Sequence, residues 1–401
     1  MAKLGVLVTA AMLSACSNGG GSGTSGGPAG ARGNGGSSAG GRAGASGSGG
    51  AAGNSGGGGG SVQGTPLTGV TAVSGGNKHA CALLKGGSIV CWGENAEGEL
   101  GNGSTANSTM AVPVSGIVNA TAISAGYDSS CAVLADATVS CWGNNDLLQL
   151  GNTNGMTTPS NAVAGVATTP VTVAGVSDAT MVAVGYGIAC VVVSGGTVRC
   201  WGAEAPYVVD DGGSSRSATP MTVPGLDGVT AISLTENTCV LVTGGQVQCW
   251  LTGDTHPSVV PSVTATAISG DCALTPNGSI RCWGNVTNIV GDAGPTGLGG
   301  FTSLSNNGSS ACAVEGPAGI AVVCWGSNMT GELGAGLITQ TGPFDVMGVT
   351  GVASVAMGGF GFACAVMNDG SVQCWGNNQL GQLGNGRTED IGNPGAVLVP
   401  L

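Results

Sequence analysis

Each of the seven tryptophans directly follows a cysteine, and each of those cysteines has a partner upstream, ten residues away in six cases and twelve in one. Cys81 pairs with Cys91, Cys131 with Cys141, Cys190 with Cys200, Cys239 with Cys249, Cys272 with Cys282, Cys312 with Cys324 and Cys364 with Cys374. The tryptophans that end them are Trp92, Trp142, Trp201, Trp250, Trp283, Trp325 and Trp375. A unit repeated seven times, about 47 residues apart, commits the chain to a repeat architecture in which each unit buries its apolar face against its neighbours.

The spacing also sets a local register. One strand runs through Cys81-Ala82-Leu83-Leu84 and the next ends at Ser88-Ile89-Val90-Cys91-Trp92, with a Gly-rich turn between them, so the two form a hairpin. Cysteines ten apart are symmetric about Gly86. An odd loop, Lys85-Gly86-Gly87, therefore joins the strands, and its last position needs a left-handed backbone. Gly87, Gly196, Gly245, Gly278 and Gly370 occupy that position, Ala137 replaces it in the second unit, and the sixth has a two-residue insertion. Counting outward sets the cysteines opposite one another at a non-hydrogen-bonded pair, a geometry suited to a disulfide. Structural zinc is the rival reading, but it wants closer cysteine spacing or nearby histidines, and the chain has only His79 and His256. Free buried thiols are the other, and export to an oxidising compartment argues against them.

Two further strands complete each unit. Short apolar runs precede the hairpins at Val70 to Ser74, Ala120 to Ser124, Ala179 to Ala183, Val229 to Ser233, Ala265 to Ser269, Phe301 to Ser305 and Val352 to Ala356. After the tryptophan, a fourth strand is expected to start near Pro113, Pro170, Pro220 and Pro343, and over Pro257 to Val263 in the fourth unit. Four short strands repeated seven times predict an all-β, seven-bladed propeller with one disulfide-bridged hairpin per blade.

Fourteen of the fifteen cysteines are paired in this way, and Cys16 remains. Lys3, the apolar run Leu4 to Leu13 and small residues ahead of Cys16 have the layout of a cleaved secretory signal, too short to span a membrane. Leu13-Ser14-Ala15-Cys16 resembles a bacterial lipoprotein signal, in which the cysteine thiol receives a diacylglycerol. The expected organisation is a signal peptide over 1–15, a disordered Gly/Ser-rich tether over 16–64 starting at lipidated Cys16, and a propeller over 65–401. Ser17, where an aspartate would signal retention, resembles lipoproteins sent to the outer membrane or cell surface.

The pattern Cys-Ala-Leu, then Gly-x-Val-x-Cys-Trp-Gly, then Asn-x-x-Gly-x-Leu-Gly resembles the repeat of the regulator of chromosome condensation family. The last element reads Asn95 to Gly101, Asn145 to Gly151, Asn328 to Gly334 and Asn378 to Gly384. The resemblance implies a seven-bladed propeller with its tryptophans packed between blades, and a structural role for His79. The third, fourth and fifth units lack the tail, and Leu251 replaces the glycine after Trp250.

Charge narrows the function. Lys3, Arg32 and Arg42 precede residue 65, so the repeats set six basic residues against all 21 acidic ones, a net charge near −15. That balance repels phosphate backbones and excludes nucleic acid as a partner. Catalysis has little material: two histidines, scattered Arg199, Arg216, Arg281 and Arg387, and no catalytic or metal-ligand constellation, Asp210-Asp211 reading as a solvated loop. Asn368 to Trp375 superficially resembles the aspartate box of sialidase propellers, but its glycine lies five residues before the tryptophan instead of three. The chain thus reads as a monomeric, non-catalytic scaffold in the cell envelope, without cofactor or metal, that binds a protein partner and meets the membrane only through its lipid. The alternatives are an exported inhibitor of a secreted enzyme, as in β-lactamase-inhibitor-like propellers, and a carbohydrate-active propeller enzyme.

Overall fold

The computed structural model describes residues 63–152, 165–203, 216–235, 237–250, 257–283, 299–336 and 343–400. The leader, Cys16, the Gly-rich segment through residue 62, Asp210, Asp211 and His256 lie outside the described residues. Blade 1 is a meander of Val70–Gly75, His79–Leu84, Ile89–Gly93 and Ser108–Pro113. The same antiparallel order recurs in seven sheets. Six of them have four strands, and the fifth shows three among the described residues. The fourth blade ends in Ser258–Thr264, so its short repeat keeps all four strands.

In the hairpin of blade 1, Leu84 N–H donates to Ser88 O at 2.8 Å and Gly87 N–H to Leu84 O at 3.0 Å, enclosing the loop Lys85-Gly86-Gly87. Gly87 has φ of 90°, and Ala137 takes the same left-handed conformation at 63°. A Cβ on Gly87 would also lie 2.7 Å from Asn119 Cα, where the chain enters the next blade. The turn glycine therefore answers a contact between blades as well as a dihedral.

The cysteines meet across these hairpins as their spacing requires. Cys81 faces Cys91, Cys131 faces Cys141, Cys190 faces Cys200 and Cys239 faces Cys249. In the last three blades Cys272 faces Cys282, Cys312 faces Cys324 and Cys364 faces Cys374. All seven pairs are disulfide-bonded, with Cα atoms 4.0–4.1 Å apart, the close spacing of non-hydrogen-bonded pairs. The two-residue insertion of the sixth unit lengthens the turn between Cys312 and Cys324 and leaves them opposite one another. Each bridge closes a short loop and should contribute about 2–3 kcal/mol in the loop-entropy model. Thiol titration of the denatured, unreduced repeat region should find no free thiol; two or more, or peptides linking different blades, would break this pairing.

Prolines are expected from the sequence at the starts of fourth strands; Pro257 and Pro343 directly precede Ser258–Thr264 and Phe344–Asp345 as expected, and the structure corrects the other three. Pro113 ends its strand, while Pro170 and Pro220 lie inside Val166–Thr172 and Arg216–Thr222. Both fall where the register against the third strand shifts, between Ala167 and Val171 and between Ser217 and Met221. A bulged outer edge needs no ladder donor there, so proline is accommodated mid-strand.

The core is distributed between blades. Each of seven apolar clusters joins residues of two neighbouring blades, as where Val73, Ala82 and Trp92 of blade 1 meet Phe362, Val366 and Val372 of blade 7. Backbone bonds repeat with the same period. The first amide of each inner strand donates to the hairpin turn of the preceding blade: Ala120 to Gly87, Ala179 to Ala137, Val229 to Gly196, and so on to Val70 with Gly370, which closes the ring. Thr65–Pro66 pairs with Leu398–Val399 beside that seam. On the inner strands, the hydroxyls of Ser74, Ser124, Ser233, Ser269 and Ser305 accept the amides of Ala125, Val184, Gly270, Asn306 and Met357 in the following blade. No helix among the described residues is long and apolar enough to cross a membrane.

The tail motif is a latch between blades. The Asn95 side-chain carbonyl accepts the Leu100 amide at 2.9 Å, and Asn145, Asn328 and Asn378 do the same for Leu150, Leu333 and Leu383. Those leucines are buried. The indole of the next blade then donates to the turn so formed: Trp142 to Glu99 O, Trp201 to Gln149 O, Trp375 to Glu332 O and Trp92 to Gln382 O, at 2.7–2.9 Å. A Cβ on Gly101, which closes the motif, would sit 2.8 Å from the Trp142 ring. Trp250, Trp283 and Trp325 follow units without the motif; Trp250 and Trp325 are still buried, whereas Trp283 is only partly buried and its Nε1–H has no acceptor among the described residues.

Candidate binding face

A meander places its first-to-second and third-to-fourth connections at one end of the sheet and its second-to-third turn at the other. Neighbouring blades align these ends, because Asn77 N–H donates to Gly126 O and Phe360 N–H to Asn77 O, loop to loop. The first end is the loop face. Beyond residue 62, every undescribed segment apart from Leu401 follows the first or third strand of a blade.

On that face one register position stands out. Four residues before the first cysteine lie Asn77, Tyr127, Tyr186 and Phe360, in blades 1, 2, 3 and 7. These blades are consecutive around the ring, so the residues form an arc. Tyr127 and Tyr186 meet edge to face with centroids 5.0 Å apart, and Lys78 Nζ stands 5.2 Å from the Phe360 ring centre. Tyr186 is 66% exposed and Phe360 39%, whereas Trp92, Trp142, Trp201, Trp250, Trp325 and Trp375 are all buried. Neither atom of the Asn77 side-chain amide has a partner among the described residues, although the residue is buried.

Beside the arc sit acids. Oxygens of Glu94, Glu99 and Asp128 lie within 4.8 Å of one another, and Lys78 Nζ is 3.6 Å from Glu94. Burial pushes Glu99 up to about 8, reinforced by Glu94 and Asp128 and opposed by backbone hydrogen bonds, among them the Glu97 amide at 2.9 Å. Burial also raises Asp128 to about 6; Glu94 and Glu97 add to the shift and Lys78 opposes it. Sister blades carry amides at the same positions. Where blade 1 has Glu94 and Glu99, blades 2 and 7 have Asn144 with Gln149 and Asn377 with Gln382, whose glutamine amides donate at 2.9 and 2.7 Å. The glutamines there supply a donor that an ionised Glu99 would lack. Lys78 is the one cation beside this cluster among the described residues.

His79 is buried beneath the arc, its Nε2 2.8 Å from Ser130 Oγ in the next blade, and burial lowers it to about 3. It is neutral near pH 7 and ties two blades together. Arg199 lies on the other face, 3.4 Å from Asp178, whereas Arg216 donates to Asp146 O at the loop face. Tyr127, Tyr186 and Phe360 are not among the candidates that the sequence alone suggests. Their signal lies in the alignment of units on the first cysteine.

A family model described as the regulator of chromosome condensation (RCC1) repeat matches residues 70–99, 120–149 and 352–382, and a second of the same description matches 86–133. No curated protein matches the sequence. Among solved structures, the fold is similar to Prp20p from Saccharomyces cerevisiae, described with its binding to Gsp1p and histones, at 17% identity over 78% of this chain and 86% of that one, with a TM-score of 0.63. Yeast RCC1 (Prp20) bound to Kap60 gives 16% identity, 79% and 84% coverage, and 0.62. The ectodomain of the Arabidopsis thaliana receptor kinase ACR4 gives 17%, 83% and 99%, and 0.50. The chain thus matches regulator of chromosome condensation repeats over residues 70–149 and 352–382, within a seven-bladed β-propeller.

Proposed function

We propose that this protein is an exported binding module: a disulfide-framed, monomeric propeller, held to the cell envelope through lipidated Cys16 and the 16–64 tether, that presents its loop face to a protein partner and catalyses no reaction. One observation carries the reading. The bonds of the frame repeat from blade to blade, while the exposed aromatics Tyr186 and Phe360 stand in the inner loops at one end. Seven disulfides suit an oxidising compartment. The structural relatives described with Gsp1p, histones and Kap60 have protein partners, which supports the same class here. The excess of acidic residues supports a partner other than nucleic acid.

Cys16→Ser tests the anchoring half. Wild type should carry lipid label and sediment with membranes, and the variant should lose the label and either appear in the soluble fraction or keep its signal uncleaved. Wild-type protein that is soluble and lipid-free would overturn the anchor. Affinity capture from solubilised envelopes addresses the partner: a single stoichiometric enzyme that loses activity on binding would make the module an inhibitor, whereas a structural envelope protein fits a scaffold.

A further inference from the structure

We infer that the arc of Phe360, Tyr127 and Tyr186, with the carboxylates beside it, is a docking site for a basic protein segment whose lysine or arginine side chains seat against the aromatic rings. This rests on the reading of the loop face as a binding surface and names the place on it and the chemistry it takes. Three observations converge. First, the chain is poor in aromatics, its tryptophans serve the frame, and yet three of the four inner-loop residues in consecutive blades at one register position are aromatic. A core does not explain them, because Tyr186 and Phe360 are exposed.

Second, the protein already makes the proposed contact once, with Lys78 Nζ 5.2 Å from the centre of the Phe360 ring while it also reaches Glu94 at 3.6 Å. A cation held between an aromatic face and a carboxylate is the arrangement a basic ligand would repeat at Tyr127 and Tyr186, next to Asp128 and Glu97. Third, charge favours a cation. Around the arc Glu94, Glu97, Asp128 and Asp146 outnumber Lys78 and Arg216 even with Glu99 protonated. The opposite face is acidic too, with Asp136, Asp178, Asp227 and Asp369, but its exposed large side chains among the described residues are aliphatic: Val118, Ile320 and Met347. Acid together with aromatic occurs at the arc. A sugar would also stack on tyrosine, but it gains nothing from the surrounding negative charge.

Fluorescence anisotropy with the mature protein and a labelled peptide of alternating arginine and glycine tests this, with the matching glutamate peptide and a chitin oligosaccharide as competing probes. The arginine peptide should bind, weaken as ionic strength rises, and lose roughly fivefold in affinity with Tyr186→Ala and again with Asp128→Asn. Asp136→Asn on the opposite face should leave it unchanged. Tyr186→Ala and Asp136→Asn should keep the wild-type melt, since those side chains are exposed, and Asp128→Asn, which removes a carboxyl that burial raises, should melt no lower than wild type, so that its loss of binding is not a loss of fold. Equal losses from Asp136→Asn would reduce the effect to net charge and overturn the site, and binding of the oligosaccharide but not the peptide would overturn its chemistry. If the peptide fails while a photo-cross-linker at position 186 captures an envelope protein, this inference falls and the binding module stands. If neither binds, both fall.

Discussion

Trp142→Ala should lower the unfolding free energy by about 3–5 kcal/mol, the range for a large aromatic removed from a packed core. The side chain is fully buried, lies against Gly101 of the preceding blade, and donates to Glu99 O at 2.7 Å. Removing it opens a cavity and leaves that carbonyl without its partner, and both effects fall on the latch between blades 1 and 2. Denaturant melts under oxidising conditions measure the loss. Tyr186→Ala is the reference, since surface changes usually stay within about 0.5 kcal/mol. A Trp142→Ala melt that overlays wild type would remove the tryptophans from the stability account.

Glu99→Gln should act in the opposite direction and depend on pH. Burial raises the folded-state value from 4.5 to about 8, so between those values the folded protein holds a proton that the unfolded chain has released. Stability therefore falls as pH rises through that window and stays low above it. Glutamine cannot titrate, and in blades 2 and 7 it already donates to the residue facing this slot. The variant should match wild type near pH 4.5 and exceed it by on the order of 3 kcal/mol at pH 9. His79 works on the other limb: its value is lowered by burial to about 3, so stability is lost as pH falls from 6.5 toward 3, in both proteins alike. Parallel profiles for wild type and Glu99→Gln across the alkaline range would show that no proton is held there.

Most of the frame is legible in the sequence because its causes are local. Cysteine spacing yields the hairpin, its loop and the bridge, since a turn of fixed length sets the register of everything that follows. The contacts between blades are less legible. Nothing in Ser74 or Ser124 announces that its hydroxyl takes an amide from the next blade, because the partner lies about fifty residues away. Pro170 and Pro220 mislead for a related reason: a strand edge that bulges frees proline from the boundary, and bulges follow from packing, not from propensity. At the binding face, Asn77, Tyr127, Tyr186 and Phe360 share one register but differ in type, so a search for repeated residues passes over them. The Glu94–Glu99 pair is hidden similarly, because its meaning lies in the amides that replace it in sister blades.

The partner is expected at the loop face, with the blades only holding the ring together. A photo-reactive amino acid placed singly at Tyr186 on the loop face or at Ile320 in the opposite turn, both more than half exposed, addresses this directly in intact cells. The account predicts a discrete cross-linked species from position 186, lost with Asp128→Asn, and none from position 320. Cross-linking from position 320 with none from 186 would place the partner on the other face and contradict it.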